Sequence, residues 1–395
     1  MGLFLNNKLV KDRILIISTH KYWPGISRLP AGLKRAGFKV FAYCPAGSFL
    51  SKTKYLDDGI FYKTISYSRT KLFYFFVLFA MYKFKPHKVI PGDEESILVL
   101  LKLKKITHYF FPKSRVAEIL KISTGDISFN KLFLSKSEFV QNISDWGVSV
   151  PESHVVNSLE HAIEASDKMK YPVVLKIDSG YGGAGVYICK SKDELVKNFL
   201  IEKKITLPKK IKTYFKRLFF ISIFDSRSLI SIQKFLSIER GHCSFIANNG
   251  QLLATNPMLV LKSHPGKTGP SSVCENLDNL EIIDAVKLVV AKTNYSCFGS
   301  FDFMYDRKIN KIYVIEFNCR PIPWAHYSDQ IVTHDLCKAL YCAMNNEPFT
   351  VNENKKFVIA LFPNELKRDP KSEYLKTAYH DIPINDPDLK FALEK

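Results

Sequence analysis

The sequence is short of acid. It holds 38 Asp and Glu against 57 Lys and Arg, a formal net charge of +19. Such an excess points to an anionic partner such as nucleotide, nucleic acid or a membrane surface, or to a plain bias toward lysine. The lysines are scattered, with one dense run at 203–217. No motif for reading RNA or DNA accompanies them, so nucleic acid is not expected as a partner. The eight cysteines are spread from 44 to 342 with no CxxC pair and no His-rich spacing. That argues against a zinc cage and fits a reducing compartment. No apolar run is long enough to span a bilayer. The longest, LFYFFVLFAMY at 72–82, reads as a buried helix. After Met1 the piece GLFL is too short for a signal peptide, and MGLFLN lacks the Ser or Thr of a myristoylation signal. Low-complexity tracts and internal repeats are missing too. A cytoplasmic protein is expected.

What is present is ordinary globular material. The 395 residues suffice for two or three domains with a sizeable core. The first stretch alternates strand and helix signals: RILIIST, ISRLPAGLKRAG, FKVFAYCP, HKVIPGD and EESILVLLKLKK. That order predicts a parallel α/β sheet over residues 1–118. The loop after its first strand, STHKYWPG, lacks G-x-G-x-x-G and gives no dinucleotide signature. A second piece starts near 119, with a helix expected over SFNKLFLSKSEFVQNISDWG and a strand at YPVVLKID. A third runs from about 191 to 345 and carries most of the remaining strands, SLISIQKFL among them. The last 50 or so residues read as a peripheral extension.

Three features carry chemistry. The stretch KIDSGYGGAGV, residues 176–186, puts Lys176 at the end of an apolar strand and follows it with Gly180, Gly182, Gly183 and Gly185. A buried lysine needs an anion, and glycine lets backbone N–H groups approach phosphate closely. A hairpin whose lysine snorkels to water is the plain alternative. In SFDFMYDRKINKIYVIEFNCRP, DRKIN reads as a hairpin turn. Strict alternation then puts Phe301 and Phe303 on one face, with Ile315 and Phe317 sharing a face of the next strand. Asp302, Glu316 and Asn318 gather opposite. Oxygen ligands of this kind favour Mg²⁺ or Mn²⁺ over zinc, against the alternative of a solvated polar face. Arg320 beside them adds an anion-binding group. Finally, Lys131 is expected to open a helix, and Gln233-Lys234-Phe235-Leu236 ends a strand whose linker backbone could meet an adenine edge.

Taken in order, these features resemble the ATP-grasp superfamily, over roughly residues 119–345. The resemblance rests on Lys131, on Lys176 with the glycine loop, on the hinge Gln233–Leu236, and on Asp302 followed by E-x-N-x-R at 316–320. Gln233 stands where an acid is common, and Cys319 replaces a frequent proline. Glu239 is the candidate for the ribose contact. The resemblance implies a pre-grasp α/β domain at 1–118 and a grasp domain at 119–346. Its small lobe would cover 119–190 and its large lobe 191–346, with a C-terminal extension at 347–395. It implies ATP with Mg²⁺ or Mn²⁺ as cofactors, and Lys131 and Lys176 on phosphate oxygens. It also implies Arg320 on a carboxylate, which is activated as an acyl phosphate for attack by an amine or other nucleophile. A small-molecule phosphotransferase on the same scaffold is an alternative. Another is a basic protein with a nucleotide site that binds a membrane surface or polyanion, for which the run at 203–217 is the candidate contact.

Overall fold

The computed structural model describes residues 11–63, 71–178, 185–202, 229–266, 269–350 and 356–395. Gly180, Gly182, Gly183 and the basic run at 203–217 lie outside them. Among the described residues no helix is long and apolar enough to cross a membrane.

The first sheet is parallel, in the order β3-β2-β1-β4. Its strands are β1 (Arg13–Ile17), β2 (Lys39–Pro45), β3 (Asp58–Tyr62) and β4 (Lys88–Pro91). Near-continuous apolar runs such as RILII form it because helices cover both faces. On one face, α1 (Leu29–Ala36) packs with Ile14, Ile16 and Val40. On the other, α2 (Lys71–Phe84) and α3 (Glu94–Phe110) pack with Leu15, Ile17 and Val89. Gly37 ends α1 at φ 109°, the left-handed conformation its position suggested. The run at 72–82 is less buried than expected. Phe73, Tyr74, Val77 and Met81 enter the core, while Leu72, Phe75, Phe79 and Tyr82 are exposed. The helix lies on one surface of a sheet, so only one of its sides has anything to pack against.

The helix expected over 128–147 is two pieces. A 3-10 turn at Ile127–Phe129 comes first, and α5 begins only at Lys136 and runs to Asp145. Ser135 caps it, accepting a hydrogen bond from the Glu138 amide. Helix α4 (Arg115–Thr124) precedes this stretch. Lys131 therefore does not open a helix; it is an exposed turn residue.

The second sheet is small, in the order β5-β8-β6-β7. It comprises β5 (Ser153–Val156), β6 (Val173–Ile177), β7 (Val186–Cys189) and β8 (Ile230–Lys234), with α6 (Leu159–Met169) packed on it. Strand β8 pairs with both β5 and β6. A lobe boundary at 190 thus fails: residues 230–234 belong with 153–189, because β8 fills the gap between β5 and β6.

The third sheet has the order β13-β12-β9-β10-β11-β14-β15. Its strands are β9 (Glu239–Asn248), β10 (Gln251–Ser263), β11 (Ser271–Asn276), β12 (Cys297–Asp306), β13 (Lys311–Asn318), β14 (Val358–Ala360) and β15 (Tyr379–His380). Helices α7 (Leu280–Thr293) and α8 (Leu336–Asn345) join the same core as α1. The C-terminal stretch is not peripheral. Strand β14 pairs with β11 and carries the sheet onward, so its backbone completes an edge that would otherwise lie open.

Candidate functional site

The β12–β13 pair carries the carboxylates. Ser300 pairs with Asn318 and Asp302 with Glu316, but Phe303 pairs with Val314. Ile315 is the extra residue of a bulge between them. Ile312, Val314 and Phe317 are buried while Ile315 is only partly so, hence strict alternation fails there. The expectation that Ile315 and Phe317 share the core face is corrected accordingly. The bulge keeps Glu316 on Asp302's side; an unbroken register would pair it with Phe301 and turn it inward.

Strand β9 adds a residue that the sequence reading missed. His242 is the cross-strand partner of Asp302. Its Nδ1 lies 2.8 Å from Asp302 Oδ1 and its Nε2 3.1 Å from Ser271 Oγ. The Asn318 amide donates to Asp302 Oδ1 at 3.3 Å. Burial alone would raise the Asp302 pKa. His242, Arg240 and Arg320 together hold it below the usual carboxylate value.

Two lysines approach these acids from other elements. Lys136, the first residue of α5, reaches Glu316 Oε1 at 2.9 Å. Burial opposes its charge, yet Glu316 outweighs that and raises its pKa. Lys176 on β6 is depressed to about 8, chiefly by burial and further by Lys136, with Glu316 pulling the other way. Asp178 ties the two lysines' elements together. It accepts from Ser135 Oγ at 2.5 Å, Ser137 Oγ at 2.7 Å and the Ser137 amide at 3.1 Å. The end of β6 is thereby pinned to the start of α5. The early lysine at the site is Lys136, and Lys131 is exposed in the preceding turn. The pattern S-x-x-E at 135–138 is a helix-start signal that would have moved the helix onset, and with it the lysine.

Arg320 is already held. Its Nε and Nη2 donate to Glu94 Oε1 at 2.8 and 2.6 Å, and its guanidinium lies 5.0 Å from the Trp23 ring centroid. Glu94 opens α3 immediately after Asp93. Asp93 accepts from Ser18 Oγ, the Thr19 amide and the His20 amide. The loop STHKYWPG, which gave no dinucleotide signature, thus brings Trp23 under Arg320.

The remaining expected residues separate. Gln233 is buried in β8 between Ser153 and Val174. Lys234 is exposed, Phe235 and Leu236 are half-buried, and residues 235–238 form the link from the small sheet to β9. Gly185, at φ 78°, accepts the Ile177 amide at its carbonyl and closes the β6–β7 hairpin. Glu239 does not offer a free carboxylate. Arg307 forks onto it at 2.8 and 3.0 Å, on the surface. That pairing takes up both of its oxygens and argues against a ribose contact there.

Among the described residues no group of three or more His, Cys, Asp and Glu is placed to hold a metal ion. The donor set at the site is two carboxylates and one amide oxygen. Such a set fits a hard cation only when phosphate oxygens or water complete the shell. Lys176 stands on the small sheet and the oxygen ligands on the large one, while Lys136 opens a helix that packs on the large sheet through Phe139.

Known proteins share parts of this sequence and its fold. Residues 135–210 match the family described as carbamoyl-phosphate synthase L chain, ATP binding domain. That match takes in Lys136 and Lys176 and leaves out Lys131. The chain is 27% identical over 247 residues to the 2-oxoglutarate carboxylase small subunit of Hydrogenobacter thermophilus, covering 58% of this chain and 44% of that one. It is 26% identical over 180 residues to the urea amidolyase of Lachancea kluyveri, 43% of this chain and 9% of that one. The chain spans less than half the length of these curated relatives. In fold it is similar to the biotin carboxylase of Campylobacter jejuni (TM-score 0.63, 16% identity, 87% of this chain and 74% of that one). It is also similar to the N5-carboxyaminoimidazole synthetase of Staphylococcus aureus bound to ADP (TM-score 0.61, 16% identity, 89% of this chain and 83% of that one). The chain thus shares its fold with these solved enzymes, and residues 135–210 carry the match to the ATP-binding domain.

Proposed function

We propose that the protein is an ADP-forming ligase that uses ATP and Mg²⁺ or Mn²⁺ to activate a carboxylate for attack by an amine or other nucleophile. The observation that carries this is the convergence of Lys136 and Lys176, from α5 and β6, on Asp302 and Glu316. The relatives support it: beside the urea amidolyase, those matched in sequence or structure are named as carboxylases, synthases and synthetases, and several are solved with ADP or ATP. The domain reading is a parallel α/β domain at 1–118, a grasp domain to about 346 whose small lobe includes β8, and a C-terminal stretch at 347–395 built into the large sheet.

In this reading Asp302, Glu316 and Asn318 would hold the cation, which would supply positive charge to offset that of the nucleotide phosphates. Lys176 and Lys136 bind phosphate oxygens, so Lys136 takes the role expected of Lys131. Lys136 then exchanges its Glu316 contact for phosphate. The glycine loop, residues 180–185, covers the phosphates, and residues 233–236 line the adenine. The link 235–238 is the hinge along which the small sheet closes and excludes water. Catalysis is positioning and charge stabilisation. A carboxylate oxygen forms a bond to the γ-phosphorus as the bond to ADP breaks. The nucleophile then forms a bond to the acyl carbon, and phosphate leaves. Arg320, steered by Glu94 and backed by Trp23, holds the carboxylate.

The test is a screen of small carboxylates and amines with Mg-ATP, reading ADP release and hydroxylamine trapping. Hydroxamate formed only with ATP and one carboxylate is the expected result. A stable phosphoester with no hydroxamate would overturn the ligase reading in favour of a phosphotransferase.

A further inference from the structure

The face of the α/β domain turned away from the cleft carries a second surface. On α2, Leu72, Phe75, Phe79 and Tyr82 are exposed, Phe75 to 60% and Tyr82 to 77%. Their spacing of three, four and three residues lines them up along one side of the helix. On α3, Ile106, Tyr109 and Phe110 are exposed near the C-terminus, followed by Phe111, with Phe110 at 74%. Both helices pack on the same side of the first sheet. Helix α3 starts beside the site, where Asp93 receives Thr19, and runs back along the sheet. Helix α2 ends at the opposite edge, where the Phe84 carbonyl accepts from Arg13 at the start of β1. Their aromatic side chains therefore gather on one outer face, remote from Asp302 and Glu316.

Cations border that face. Lys83, Lys85, Lys105, Lys113 and Arg115 are exposed. Between residues 59 and 117 the sequence has 11 Lys and Arg against 3 acids, and those three are Asp93, Glu94 and Glu95 at the site end of α3. At the borders of this stretch, Asp58 is held by Lys83 at 2.9 Å and Glu118 starts α4. Contiguous exposed aromatics of this kind mark an interaction surface. A second copy of the chain seated here would set lysine against lysine. An anionic lipid surface complements it: aromatic rings favour the headgroup boundary and lysines the negative potential beyond it.

We propose that the α2–α3 face docks the enzyme peripherally onto anionic membrane surface, leaving the nucleotide cleft open on the other side. It stands independently of the ligase reading, because it uses none of the cleft residues. The run at 203–217 is not part of it.

The experiment is co-sedimentation of the full chain with vesicles of phosphatidylcholine alone or mixed with phosphatidylserine. The variants are Phe75→Gln/Phe79→Gln/Tyr82→Gln and, should that one fold poorly, Lys85→Glu/Lys105→Glu. The chain is expected to pellet with the phosphatidylserine vesicles only, and less at high salt. The aromatic variant should partition roughly tenfold more weakly, with ATP turnover unchanged. Four outcomes overturn the proposal: no sedimentation, equal binding to both vesicle types, binding untouched by both variants, or a dimer that the aromatic variant converts to monomer. So does binding to single-stranded RNA, lost in the variants, in place of vesicle binding.

Discussion

Asp302 on β12 and Glu316 on β13 stand directly opposite each other because β13 carries one extra residue, Ile315. Two acids side by side repel unless a cation intervenes; here Lys136 meets Glu316, and His242 hydrogen-bonds Asp302. Glu316→Gln keeps shape and removes charge. Turnover of ATP should fall by at least about a hundredfold, the scale set by losing one preorganised charge contact. The urea midpoint should stay close to that of the parent, since Glu316 opens onto the cleft. Full activity in that variant would sink the cation assignment.

The two candidate lysines predict opposite results. Lys136→Met removes the cation that meets Glu316, so the apparent KM for ATP should rise roughly tenfold or more. Lys131→Met alters an exposed turn residue and should change neither KM nor kcat by more than about twofold. Steady-state kinetics with ATP as the varied substrate separates them. Equal losses in both variants would return Lys131 to the site.

These contrasts mark what could be read from the chain. The parallel first sheet was legible because buried strands announce themselves as unbroken apolar runs such as RILII. Lys176, Asp302 and Glu316 were legible because short motifs place them on strands. The bulge at Ile315 was not, because one inserted residue leaves no compositional trace and is fixed only by pairing with β12. His242 was hidden for a similar reason: it comes to Asp302 through the β9–β12 register, 60 residues away in sequence. Glu94 lies further still from Arg320, and only the packing of the first domain on the third sheet joins them. Lys136 was within reach, since Ser135 and Glu138 spell a helix start.

Lys88 supplies a pH signature. It lies fully buried on β4, donates to the Ile122 carbonyl and reaches Ser296 Oγ at 2.9 Å, with no carboxylate beside it. Burial lowers its pKa to about 8. The sign follows from linkage. The unfolded lysine keeps its ordinary value near 10.4, so between the two values the unfolded chain binds more protons and stability rises with pH. The charge penalty is full below about pH 8 and gone above about 10.4, on the order of 3 kcal/mol in all. Lys88→Met removes it, and Ser296 still donates to the Ile122 carbonyl. Urea unfolding at pH 7.5 and 9.5 should show a gap between variant and parent that narrows at the higher pH. A gap that stays constant would show that Lys88 does not titrate in the fold.

Arg28 on the loop before α1 and Asp381 beyond β15 test whether the C-terminal stretch belongs to the folded unit. The two form a buried ion pair, and Arg28 also donates to the carbonyls of Asp381 at 2.7 Å and Phe362 at 3.0 Å. His326 Nε2 lies 3.3 Å from Asp381 Oδ1. Burial would raise the Asp381 pKa, but Arg28 and His326 hold it below the usual value. Its folded value is depressed, so its contribution is complete above the unfolded carboxylate pKa of about 3.9 and is lost as pH falls through the folded value. Asp381→Asn leaves Arg28 buried with carbonyl partners only. The expected loss at pH 7 is about 3 kcal/mol, the low end for breaking a buried pair. It should appear as one cooperative shift of the whole unfolding curve, because β14 and β15 continue the sheet that holds Asp302. A separate early transition confined to residues 356–395 would show instead that this stretch folds apart from the site. The gap between variant and parent should shrink when the same titration is run below about pH 4, where Asp381 begins to protonate in the unfolded parent but not yet in the fold.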